Sequence, residues 1–119
     1  MAQLLNSSRD RVLIAKLQIA KTFWSRTKGL LGTKQLGAEQ ALLIHQCNSV
    51  HTFFMKYAID CIFVVESLDQ GLVVKKVFKN VRPWRITAPV WGAKAVIEMA
   101  AGRAQLLKIG EGDTLYVGS

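Results

Sequence analysis

The sequence predicts a mainly β fold: a β-rich α+β domain, built as an antiparallel sandwich or barrel-like sheet with one or two short helices. Three observations predict it. Residues 12–19 alternate apolar and polar side chains as a half-buried strand does. The stretch "LVVKKVF" is dense in β-branched residues, which suit a pleated surface. Short apolar runs are separated by turn signals such as "SLDQG" and "EGD", with no long strand–helix–strand period.

The elements follow in chain order. Leu13, Ala15, Leu17 and Ile19 share one side of a first strand, with Lys16 and Gln18 on the other. In "TFWSRTKGLLG", Phe23, Thr27 and Leu30 fall at helical spacing, Thr22 offers an N-cap and Gly32 a stop, so a short helix is expected. After the polar "TKQLGAEQ" comes the short strand "ALLI". Residues 50–55 and 59–65 then read as the two arms of a hairpin turning at Lys56, Tyr57 and Ala58. Pro83 and Pro89 bracket a loop over residues 79–92, because proline removes a ladder donor. "AKAVIEM" resumes the sheet, "AAGRAQLLKIG" supplies a turn or two of helix ended by Gly110, and "TLYV" is a closing strand.

A chain of 119 residues, half hydrophobic and one-fifth charged, is sized for one domain, residues 1–119, and is too apolar to be largely disordered. Polar and charged residues are spread through the first eleven positions, which lack the continuous apolar core of a secretory signal, and the longest apolar runs fall far below the roughly 20 residues of a spanning helix. A soluble cytoplasmic protein without membrane insertion is expected. Cys47 and Cys61 form no CxxC pair or zinc spacing and read as reduced thiols.

The net charge of +8 is unevenly spread. Residues 11–38 hold six basic side chains and no acid, and residues 70–97 hold six more, again with no acid. If the windows meet in space they form a face that attracts anions over roughly 8 Å at physiological salt; if not, they solubilise the surface.

The stretch "CNSVHTFFMKYAIDCIFV" sets titratable and soft groups into an apolar run. With the turn at residues 56–58, Met55 faces Ile59, Phe53 faces Cys61 and His51 faces Phe63. Cys47, His51 and Met55 have the donor chemistry of a copper(I) site, but their spacing matches no ligand motif. Packing roles are preferred for His51 and Met55, and neither metal nor cofactor is expected. The register sets Cys47 away from Cys61, so no disulfide is expected either. Asp60 inside an apolar strand needs partners, since an isolated buried carboxylate costs several kcal/mol. Turn amides or the nearby Lys56 can supply them.

The blocks "SRTKGLLG", "HTFFMKYAIDCIFV", "VIEMAAG" and "KIGEGDTLYV" resemble, in this order, the bacterial and archaeal family called domain of unknown function 192. The resemblance covers roughly residues 16–117. It implies a compact, mainly β domain with short helices and supplies no reaction. Many members carry an export signal or anchor before the domain, a habit the cytoplasmic reading goes against. The family's motifs fall here on Arg26, Gly29, Met55, Lys56, Asp60, Glu98, Gly102, Gly112 and Asp113.

The polar remainder, Arg26, Lys56, Asp60 and Glu98, is the candidate cluster. It is read as the rim of a pocket for a small polar or anionic ligand, with His51, Phe53 and Trp84 as wall. One alternative is an enzyme using His51 or Asp60 as acid or base. Another is nucleic-acid binding through residues 75–91, "KKVFKNVRPWRITAPVW", where basic residues alternate with Phe78, Trp84 and Trp91. Against it stands the preferred reading that Trp84 and Trp91 staple a Pro-rich loop onto the sheet, which predicts only weak, salt-sensitive binding.

Overall fold

Seven strands close on themselves in the order β1-β2-β3-β6-β4-β5-β7, the last pairing back to the first. The structure is a computed structural model that describes residues 2–20, 36–52 and 55–118. The strands are β1 (Ala2–Leu5), β2 (Val12–Ala20), β3 (Gln40–His45), β4 (Ile59–Glu66), β5 (Leu72–Val81), β6 (Ala95–Ala100) and β7 (Thr114–Gly118), with a one-turn helix α1 (Arg103–Leu106) before β7. The barrel form of the predicted mainly β fold is therefore the one adopted. Closure removes the exposed sheet edges that would otherwise offer unpaired backbone groups.

One pairing departs from the antiparallel expectation. β2 and β3 run parallel, with Leu17 beside Ala41 and Ile19 beside Leu43. A parallel neighbour needs a crossover rather than a hairpin. The helix expected within residues 22–32, and with it Arg26, lies outside the described residues.

β4 is the spine. It pairs with β5 on one side and β6 on the other, and its first six residues are all buried. Both of its faces are covered. Ile62 and Val64 point into the barrel with Leu4, Ile14, Leu17, Leu43, Ile97, Met99 and Leu115. Cys61 and Phe63 point outward into a second apolar layer, formed with Leu42, Ile44 and Val96 of the sheet and covered by Leu36, Val50, Met55 and Ala93. A strand covered on both faces reads as a continuous apolar run, as "CIFVV" does.

Because β5 and β6 occupy both edges of β4, the hairpin predicted between residues 50–55 and 59–65 does not form. Cys61 lies opposite Phe78 and Glu98, and Phe63 opposite Lys76 and Val96, rather than opposite Phe53 and His51. Residues 48–52 instead run antiparallel to residues 85–90. Thr87 N–H donates to the Val50 carbonyl at 2.8 Å, Val50 N–H donates to Thr87 Oγ1 at 2.9 Å, and His51 bridges Ile86.

The barrel ends are closed by polar turns. Between β1 and β2, the Asn6 side-chain oxygen accepts N–H bonds from Asp10 and Arg11, shaping a turn in which Arg9 takes a φ of 61°. Between β4 and β5, the Asp69 carboxylate accepts from the Ser67 hydroxyl, from Gly71 N–H at 3.2 Å and from the Tyr116 hydroxyl at 2.7 Å. The Arg9 guanidinium stacks over the same Tyr116 ring at 3.9 Å, so two turns and β7 share one polar knot.

Candidate functional site

Two members of the candidate cluster, Asp60 and Glu98, do not share a face of the sheet. Asp60 pairs in register with Met99, and Cys61 with Glu98. Side chains directly opposite each other share a face, so Asp60 lies on the interior side with Met99, while Glu98 lies on the outer side with Cys61 and Val96. The two carboxylates, both fully buried, occupy opposite faces of the sheet. Lys56 is exposed on the segment entering β4, His51 is half-buried, and Arg26 and Phe53 lie outside the described residues.

Asp60 has a defined task. Its Oδ1 accepts the Asn80 N–H at 2.8 Å, and its Oδ2 accepts the N–H groups of Gly102 and Ala104, both at 3.0 Å. Two of those donors belong to left-handed residues, Asn80 at φ 54° and Gly102 at φ 92°. One carboxylate thus pins the end of β5 and the start of α1 to β4. The expectation of turn amides as partners holds in kind, but the amides come from two distant segments rather than from a hairpin. An acid–base role for Asp60 finds its oxygens already occupied by backbone donors.

Neither thiol is in a disulfide, and both belong to the outer apolar layer. Cys61 is buried in the outer layer, and the half-buried Cys47 donates its S–H to the Ser49 carbonyl at 3.0 Å. Among the described residues no three His, Cys, Asp or Glu side chains converge as a metal site would require.

A second arrangement, present in the sequence reading only as an alternative, is better built. The loop after β5 is held by Thr52, whose hydroxyl donates to the Arg82 carbonyl at 2.6 Å and accepts the Arg85 N–H at 2.9 Å. Trp84 N–H donates to the Thr52 carbonyl at 3.0 Å. Thr52 and Thr87, both buried, therefore do the stapling that the indoles were expected to do. The indoles face out: Trp84 is 55 % exposed and Trp91 81 %, with Ile86 at 64 % between them. Around them Lys79, Arg82, Arg85 and Lys94 are exposed as well.

Phe78, counted beforehand as a third stacking platform, is half-buried instead and meets Phe63 edge-on at 5.8 Å. Ile86 was missed. The sequence carried no signal for it, because alternation would bury Ile86 and expose Thr87, whereas the structure buries Thr87 and exposes Ile86.

A seven-strand barrel with an outer apolar layer and a polar-capped aromatic ribbon defines the class by shape. The sequence profile of the family DUF192, described as an uncharacterised ACR, matches residues 4–117, and the chain belongs to that family. The match begins twelve residues earlier than the motif blocks suggested and reaches into the second half of β1, the strand that closes the barrel. The chain is 34 % identical over 116 residues to a UPF0127 protein of Pyrococcus abyssi, covering 95 % of each. It is 33 % identical over 116 residues to a UPF0127 protein of Thermococcus sibiricus, covering 94 % of this chain and 72 % of that one. A crystal structure of a protein of unknown function from Novosphingobium aromaticivorans superposes with a TM-score of 0.73 at 26 % identity, covering 96 % of this chain and 81 % of that one.

Among the described residues no helix is long and apolar enough to cross a membrane.

Proposed function

We propose that the protein binds single-stranded nucleic acid along the ribbon of residues 82–94. The observation that carries this reading is the exposure of the Trp84 and Trp91 indoles among four exposed cations. Bases stack on indole faces regardless of sequence, and Lys and Arg neutralise the accompanying phosphates. Seven residue steps of extended chain separate the two indoles by at most about 25 Å, a span of several nucleotides.

The backbone supports the same reading. Trp84 sits at φ 64°, a conformation rare for a bulky side chain. Such strain persists where surrounding bonds enforce it and concentrates at functional positions. Here the Thr52 bonds enforce it, and the residue they hold is more than half exposed.

Fluorescence anisotropy with a labelled single-stranded oligonucleotide tests the proposal. Binding should persist at physiological salt and weaken with a log–log slope of about −0.7 per phosphate neutralised. Trp84→Ala and Trp91→Ala should each lose about 1–3 kcal/mol. Binding that vanishes near physiological salt, or that is indifferent to both substitutions, would reduce the ribbon to a charged surface and overturn the reading.

A further inference from the structure

We propose a second, separate site: a cleft for an amphipathic monoanion at the end of the barrel where the β1–β2 turn meets the α1–β7 connection. The cleft encloses about 450 Å³, within the range of small-molecule sites. Its apolar lining is the half-buried Leu107 with the edges of the buried Leu13, Ile109 and Leu115. Its mouth carries two exposed cations, Arg11 and Lys108.

The charge at the mouth favours an anion. Neither Arg11 nor Lys108 makes an ion pair among the described residues, whereas Lys76, elsewhere on the surface, meets Glu111 at 3.7 Å. The one carboxylate lining the cleft is Asp113, and its Oδ2 is taken by the Gly110 N–H at 2.8 Å. Among the lining side chains two cations stand against one occupied carboxylate, and Asp10, next to Arg11, has its carboxylate engaged by Asn6 and Ser8. A carboxylate on a short hydrocarbon tail fits the cations and the apolar lining: the head between Arg11 and Lys108, the tail on Leu107 and the edges of Leu13, Ile109 and Leu115. The two cations are rigidly mounted at backbone level, since Asn6 holds the Arg11 N–H and Lys108 sits at φ 57° with its N–H bonded to the Gln105 carbonyl.

The cleft shares no residue with the ribbon of 82–94, so the two proposals stand or fall separately. Titrating octanoate into the ¹⁵N-labelled protein and following amide shifts tests this one. Saturable shifts are expected at residues 11–13, 107–109 and 112–115. They should weaken at least tenfold in the Arg11→Gln, Lys108→Gln double variant and remain unchanged in Trp91→Ala. Octan-1-ol, which has the tail without the charge, should bind at least tenfold more weakly than octanoate. Both substituted cations are exposed, so the double variant should keep the wild-type spectrum away from the cleft, and that spectrum confirms folding before titration. Shifts that do not saturate, that survive the double substitution, or that octanol reproduces would overturn the site.

Discussion

The barrel interior and the ribbon of residues 82–94 treat large apolar side chains in opposite ways. Inside the barrel, Leu4, Ile14, Ile62, Ile97 and Met99 are fully buried, each worth about 1.5–3 kcal/mol relative to exposure. On the ribbon, Trp84, Ile86 and Trp91 stand more than half exposed although an apolar layer containing Val50, Met55 and Ala93 lies within the same part of the chain. Single exposed apolar residues are ordinary; three within eight positions, among cations, are a patch. The difference teaches that this chain buries apolar area in one place and leaves it at the surface in the other. The scaffold that holds the ribbon is polar, namely Thr52 and Thr87.

The sharpest break in the comparison comes from the interior. Ile62→Ala, at a fully buried position facing the barrel, should lower stability by about 2–5 kcal/mol in denaturant unfolding. Trp91→Ala should change it by less than about 0.5 kcal/mol. Equal losses at the two positions would show that Trp91 is packed in solution and that the contrast is false.

Asp60 comes next. Asp60→Ala leaves the N–H groups of Asn80, Gly102 and Ala104 without their acceptor and should cost about 1–3 kcal/mol. Asp60→Asn, which keeps one carbonyl oxygen, should cost less than the alanine change. An unchanged denaturant midpoint in Asp60→Ala would sink the structural role assigned to this carboxylate.

The smallest effect belongs to the turn knot. The Ser67 hydroxyl, then the Tyr116 hydroxyl and the Gly71 N–H, lower the Asp69 carboxyl from its ordinary 3.8 to about 2. A depressed value favours the folded state above the unfolded pKa, so this contribution is complete above about pH 4 and is lost as pH falls toward 2. Tyr116→Phe removes one of the bonds and should flatten that part of the acid stability profile. A profile identical to wild type would show that the hydroxyl contributes nothing there.

What the sequence revealed tracked how local each signal was. β2, β5, β6 and β7 were legible from alternation and β-branched density, and the "SLDQG" turn from its Asp and Gly. β1 was not, because four residues with one fully buried side chain, Leu4, carry too little pattern. The run "VHTFFM" looked like a strand, yet its partner is a proline-bounded loop rather than its neighbour in sequence. Asp60 and Glu98 separate on parity alone. Pairing Asp60 with Met99 instead of Glu98 is a one-residue matter of register, and it sends the two carboxylates to opposite faces. The aromatic–basic segment was visible beforehand, but whether its indoles pack or protrude depended on bonds such as Thr52 to Arg82 and Val50 to Thr87, which span 30 and 37 residues of sequence.

The most direct test of the ribbon's role reads the indoles themselves. The chain has three tryptophans, so a ¹⁵N spectrum shows three indole N–H signals, assignable by Trp84→Phe and Trp91→Phe substitution. On adding a single-stranded oligonucleotide at physiological salt, the Trp84 and Trp91 signals should shift together and saturate, while amides of the barrel strands facing Ile62 and Met99 stay in place. Indole signals that do not move while surface lysines alone respond would contradict the account.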